Sequence, residues 1–299
     1  MYVEAHAPEL FEIVEENTPL EKLAGGFRFT EGPLWDRRKQ CLLFSDIPDN
    51  TIFQYDGSGI SIYRKPSHMS NGLTFDLQGN LIACEHAASR VTLTSPDGTM
   101  AVIADRFMGK QLNSPNDVAV KSDGTIYFTD PAYGRGEFVG IKRSQDLPFQ
   151  GVYRVNENDG LILLTKDDFV APNGLCFSPK EDILYINDSE KKLIMAYDVA
   201  QDGLIGCERI FFDKFKASSN SGAPDGMKVD EQGNVYCTGP GGIWIINERG
   251  AHIGTIRVPE VTSNMNWGGP DWNILYITAS TSIYSIKMKV CGNKLPYMI

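Results

Sequence analysis

One pattern recurs along this chain and leaves few folds open to it: a polar residue, a short apolar strand, a tight turn and a returning strand. The clearest copy runs from Asn113-Ser-Pro-Asn-Asp117 to Asp130. Asn116-Asp117 forms the polar apex, and Val118 and Val120 alternate as half-buried strand positions. Asp123-Gly124 suits a tight hairpin, and Ile126-Tyr-Phe-Thr129 returns as the partner strand. A lone hairpin is marginal in water, so copies are required. They begin at Glu31-Gly-Pro-Leu-Trp-Asp36, Asn71-Gly-Leu-Thr-Phe-Asp76, Asn173-Gly-Leu-Cys-Phe-Ser178, Asp225-Gly-Met-Lys-Val-Asp230 and Asn266-Trp267. Six units spaced roughly 40 to 60 residues match the period of propeller blades rather than of helical arrays.

Between these hairpins lie further strand-like runs such as 51–55, 91–94, 151–155, 193–197 and 242–246, each followed by a turn signal such as Asp56-Gly57 or Asp202-Gly203. The expected architecture is therefore all-β: a single domain over residues 1–299, folded as a six-bladed β-propeller with four-stranded antiparallel blades. Capped helical periodicity is absent. The alternating run 10–14 is expected to form a strand that closes the last blade against 282–287, removing the open edges. Residues 290–299 read as a loose end. Of two long linkers, 132–150 is expected to rim a pocket and 213–222 to be a flexible connection.

The formal net charge of −10, with 28 Lys and Arg dispersed along the chain, argues against nucleic acid or an anionic membrane as partner. No run is long and apolar enough for a membrane span. The first ten residues lack the basic and apolar regions of a secretory signal, which points to a cytoplasmic location. The six cysteines are scattered singly, and Cys41, Cys84, Cys176 and Cys237 fall in expected strands as small apolar side chains. No Gly-x-Ser-x-Gly elbow is present, so a serine hydrolase has no support.

Radial repetition brings equivalent residues of the units around one axis. The apex positions are Glu31, Asn71, Asn116, Asn173, Asp225 and Asn266, all with oxygen-bearing side chains. Any one of them alone reads as a turn residue. Their shared register ahead of a buried strand reads differently: Glu31, Asn116, Asn173 and Asp225 offer two carboxylates and two amide oxygens, a set suited to one hard divalent cation. Ca²⁺ is the first expectation, with Mg²⁺, Mn²⁺ or Zn²⁺ as alternatives.

The motifs Phe29-Thr-Glu-Gly-Pro-Leu-Trp35, Ser70-Asn-Gly-Leu73, Leu112-Asn-Ser-Pro-Asn-Asp117, Tyr127-Phe-Thr-Asp-Pro131, Ala171-Pro-Asn-Gly-Leu175 and Pro224-Asp-Gly-Met227 resemble, in order, those of the gluconolactonase, regucalcin and luciferin-regenerating-enzyme family. The resemblance spans residues 25 to 290 and is nearest to bacterial gluconolactonases. It implies a six-bladed propeller with a divalent metal in the central channel, held by Glu31, Asn116, Asn173 and Asp225. It also implies hydrolysis of a sugar lactone, with the metal polarising the carbonyl and Asp225 as general base or as the group that orients the water. Where the regucalcin branch places a sugar-contacting Arg, two positions before the Asn-Asp pair, this chain has Ser114, preceded by Asn113. Asn71, Asn113, Ser114, Tyr133, His86 and Asn266 are candidate substrate-binding residues. His86 and His68 are weighed as proton shuttles against structural imidazoles. Phosphotriester hydrolysis at the same site and a non-catalytic binding propeller are the competing functions. Which lactone is taken, and in what oligomeric state, the sequence leaves open.

Overall fold

The computed structural model describes residues 2–294, and six antiparallel sheets, built on four strands each with one more added to blade five, form the blades of a propeller. The innermost strands are Thr30–Asp36, Ser70–Phe75, Val118–Val120, Pro172–Phe177, Met227–Val229 and Thr262–Gly268. In blades one to five, each is followed outward by the next three strands in chain order. The short alternating strands and Gly turns of the sequence dictate this outcome, since each hairpin pairs with the next before the chain moves on.

Closure differs from expectation. The outermost strand of blade six is Leu20–Gly25, which pairs antiparallel with Ser282–Lys287 and sets Leu20 opposite Ile286 and Gly25 opposite Ser282. Residues Leu10–Ile13 form a single helical turn instead of a strand. Leu10, Ile13 and Val14 are buried while Phe11 and Glu12 face outward, a helical spacing that a run this short does not separate from alternation. Ahead of it, Val3–Ala5 adds a fifth strand to blade five, with Val3 opposite Ile256. The N-terminal segment thus stitches blade five as well as blade six. The tail is also tied down as far as it is described: Val290 is buried, Gly292 bridges Asp230 and Asn293 N–H donates to Val229 O. Residues 295–299 of the expected loose end lie outside the described residues.

The core lies between blades. Its largest cluster runs from the N-terminal helical turn through blades five and six to blade one, where Trp35 stacks on Tyr276 at 5.1 Å between ring centroids. Cys41, Cys84, Cys176 and Cys237 are buried free thiols. Among the described residues no helix is long and apolar enough to cross a membrane.

At the axis, neighbouring inner strands approach backbone to backbone. Gly72 N–H donates to Asn116 O, Gly174 N–H to Asp225 O and Gly226 N–H to Ser263 O, at 2.8, 3.1 and 2.8 Å. A Cβ on Gly174 would stand 2.1 Å from Asp225 O, and one on Gly32 would stand 2.1 Å from Asn71 O. The glycine after the apex therefore serves close approach between blades rather than a hairpin turn. Gly174→Ala is expected to lower the unfolding free energy by about 1–3 kcal/mol in urea titration; a variant as stable as wild type would show that the inner strands are free to separate.

Candidate functional site

At the end of the axis where the inner strands begin lies a cavity of about 390 Å³, with Glu31, Asn71, Asn116, Asn173 and Asp225 of five successive blades on its lining together with His86 and Tyr133. A repeated device holds three of these apices. Asp46, Asp130 and Asp188 each end a second strand, and each carboxylate accepts two backbone N–H groups of the segment entering its own blade. The donors are Arg28 and Phe29, Asn113 and Ser114, and Val170 and Ala171, so the clamp always closes two to three residues before Glu31, Asn116 and Asn173. Carboxylates accepting paired N–H bonds are strong local anchors.

The amide orientations follow from a second layer. Ser189 Oγ donates to Pro224 O at 2.6 Å, so it can only accept from Asn173, whose Nδ2 lies 3.0 Å away. Asn173 Oδ1 is left buried without a partner in the protein. Tyr133 also hydrogen-bonds Ser189, and its hydroxyl is pushed up to about 12, mainly by burial. His86 Nδ1 lies 2.8 Å from Val139 O and must donate to it, which makes Nε2 an acceptor for the Asn71 amide at 3.3 Å. Asn71 Oδ1 is again buried and unpartnered. Burial lowers His86 to about 4, against its bond to Val139, so the ring stays neutral and holds Asn71 rather than shuttling protons near neutral pH.

Charge is the other feature. Burial, and then the Asp117 carboxylate, raise Glu31 to about 7; the Gly32 N–H, the Asn264 amide and Lys228 oppose this. Asp225 is driven well above the carboxylate range by burial first, then by Glu31 and Asp117. Asp117 is raised by burial, with Lys228 as the main opposing charge, its Nζ 3.9 Å from Asp117 Oδ2. Three carboxylates thus share one ammonium. Among the described residues no group of three or more His, Cys, Asp or Glu side chains converges as a metal site. A cation at this mouth would need carboxylates and amides together, and the partnerless Asn173 oxygen beside uncompensated carboxylates fits such a group.

Three expected site residues lie elsewhere. Asn113 and Ser114 are fully buried: Asn113 Nδ2 donates to Asp130 O and Phe149 O, and Ser114 Oγ donates to Pro131 O and accepts from Gly134 N–H. They anchor the 132–150 insertion, which brings Tyr133 and Val139 to the cavity as the rim expectation required. Asn266 lines recesses toward the other end of the channel and donates to Pro33 O. The blade-six apex is Ser263, because it is Ser263 O that accepts the Gly226 N–H. His68 is absent from the lining. The supposedly flexible 213–222 connection carries the short helix Lys214–Ala217 with Phe215 buried, and Gly222 reaches the cavity.

Sequence reasoning missed Asn264, whose Nδ2 donates to Glu31 Oε2 at 3.0 Å, and Asp117 and Lys228 below the floor. A signal existed for the first. In blades one to five the second strand starts ten residues after the apex; the same count back from Ile274 lands on Asn264, one residue past the Ser263 apex and two before Asn266, so the interval already pointed to this pair.

A closed six-bladed ring with carboxylates and amides gathered at one mouth defines the class of this protein. The SMP-30/gluconolactonase/LRE-like region model matches residues 29–281, and the chain belongs to that family. Gluconolactonase of Zymomonas mobilis is 31% identical, over 96% of this chain and 86% of its own length. The structure of a gluconolactonase of Xanthomonas campestris superposes with a TM-score of 0.87 at 28% identity, covering 96% of this chain and 95% of the other. A calcium-binding protein, regucalcin, from Agrobacterium tumefaciens shares the fold at a TM-score of 0.77 and 18% identity, covering 93% and 97%.

The depressed value of His86 has a stability consequence. Its folded value of about 4 lies below the ordinary 6.5, so its contribution is present above pH 6.5 and is lost as the pH falls through 4. Wild type is expected to lose unfolding free energy over that window more steeply than His86→Phe, by up to about 1.4 kcal/mol per pH unit. Parallel slopes in denaturant titrations would mean that the ring titrates freely in the fold.

Proposed function

We propose that this protein is a divalent-metal-dependent lactonase that hydrolyses sugar lactones of the gluconolactone type to the aldonic acid. The observation that carries this reading is the meeting of Glu31, Asn116, Asn173 and Asp225 on one cavity floor with more carboxylate charge than Lys228 offsets. The gluconolactonases among its relatives support the same substrate class. Those four side chains would hold the cation, and Ca²⁺ suits their oxygen donors best, with Mg²⁺, Mn²⁺ or Zn²⁺ as alternatives. When bound, it supplies a Lewis acid for the lactone carbonyl and charge to balance the oxyanion.

The remaining work belongs to the chain. Asp225 takes a proton from the water whose oxygen bonds to the carbonyl carbon. The ring C–O bond then breaks, and that proton passes to the departing ring oxygen, which becomes the hydroxyl of the acid. Asp225 suits the role better than Glu31, because Glu31 Oε2 is already occupied by the Gly32 N–H and the Asn264 amide at 2.5 and 3.0 Å, whereas Asp225 has the Asn173 amide as its side-chain partner and no such pair. Asn71 Oδ1, kept free by His86, accepts a substrate hydroxyl, and so does the Tyr133 oxygen. With the chain's negative charge, a neutral small molecule is the fitting partner.

Chelator-stripped protein is expected to release acid from glucono-1,5-lactone no faster than the spontaneous blank, and to recover on addition of a divalent cation. Asp225→Asn is expected to lower kcat by about 100-fold or more with an unchanged circular dichroism spectrum. Full turnover in the chelated protein would contradict metal dependence; near-wild-type turnover in a folded Asp225→Asn protein would remove that residue from the mechanism.

A further inference from the structure

The cavity changes character between floor and walls. Its polar groups lie at the floor, along the Tyr133–Ser189–Asn173 chain and at Glu190 and Thr262, whereas Phe29, Ile47, Val139, Ala223, Pro224 and Val261 present apolar surface. Two of the groups around this mouth are open to solvent. Val261 is 45% exposed, and Phe138, 57% exposed, meets the Phe29 ring edge to face at 6.0 Å. Large apolar side chains held open beside a concave site are a ligand-binding feature rather than a packing one. Among the described lining residues there is no lysine or arginine, while Glu31, Glu190 and Asp225 are acidic.

A hydroxyl group carried along the Phe29, Val139 and Val261 side would lie against apolar surface without a partner there, at the usual cost of an unmade hydrogen bond. A phosphate substituent would meet carboxylates and no cationic side chain. An alkyl or aryl substituent would instead bury against Phe29, Ile47 and Val261 and displace their water.

Resting on the lactonase reading above, we propose that beside sugar lactones the site takes neutral lactones whose ring carries an apolar substituent, and that it selects against phosphorylated lactones. The ring ester sits at the polar floor and the substituent lies along the Phe29, Val139 and Val261 wall. Each methylene that reaches this wall raises kcat/KM by about fourfold until the cavity is filled.

The test is a substrate series with the metal-loaded full-length enzyme: δ-valerolactone, δ-hexalactone, δ-nonalactone and δ-decalactone, beside glucono-1,5-lactone and 6-phosphoglucono-1,5-lactone. We expect kcat/KM to climb along the alkyl series and the phosphorylated lactone to be turned over least. Phe29→Ser and Val261→Ser should each flatten the climb, with the change falling mainly in KM. Turnover of gluconolactone with a flat or falling alkyl series, or with the phosphorylated lactone preferred, would overturn this specificity and leave the lactonase reading standing. Turnover of no lactone above the blank would overturn both.

Discussion

Burial of Glu31, Asp117 and Asp225 at one axis, with carboxylate neighbours adding to it for Glu31 and Asp225 and Lys228 facing Asp117, is the constraint that the rest of the molecule is arranged to bear. Carboxylates this close stay ionised only if a cation or enough donors compensate them. The fold keeps them together regardless, because each apex is fixed from outside the axis. Second-strand aspartates clamp the backbone ahead of three apices, and inter-blade N–H bonds at Gly72, Gly174 and Gly226 tie inner strand to inner strand. Closure by Leu20–Gly25 pairing with Ser282–Lys287 completes the ring that holds these inner strands together.

Much of this was legible in the sequence, because strand alternation and Gly turns are local signals repeated six times. Third strands such as Thr51–Tyr55 and Gly242–Ile246 fall where the turn chemistry put them. Five of the six apices do as well. The misreadings have physical causes. Over residues 10–14, alternation and helical spacing give the same short pattern, and the buried face of Leu10, Ile13 and Val14 decided for a helical turn. In blade six, an asparagine in front of a tryptophan resembled an apex more than Ser263 does, although the strand interval pointed earlier. Asn113 and Ser114 look like binding residues because they sit beside an apex, yet the Asn113 amide nitrogen and the Ser114 hydroxyl are taken by Asp130, Phe149 and Pro131, and the one partnerless atom, Asn113 Oδ1, is buried away from the cavity lining. No sequence pattern reports which polar atoms a fold has already used.

What is left unused is informative. The Asn71 and Asn173 amide oxygens survive as buried acceptors because His86 and Ser189 take up the other ends of those side chains. These second-layer partners, rather than the apices alone, convert a ring of turn-like residues into a site with a fixed donor pattern. Blades three and six, which stand opposite each other in a six-membered ring, carry Asp117 and Asn264 at the position that the other four blades give to glycine. The one meets Lys228 and the other Glu31, so the floor is built by breaking the repeat at two places. The apolar wall above combines Phe29, held by the Asp46 clamp, with Val139 and Val261 from connections between the blades.

The most direct test of a charge-compensated cation site is calorimetric titration of Ca²⁺ into chelator-stripped protein, in buffers of different ionisation enthalpy, across pH 6 to 8. Because Glu31 is raised to about 7 by burial and by its carboxylate neighbour, cation binding should expel protons near pH 6, and the Glu31 share of that release should fade as the pH passes 7. Glu31→Gln should bind more weakly and release fewer. Calcium binding with no proton release at any pH, or equal affinity and equal release in Glu31→Gln, would contradict the account.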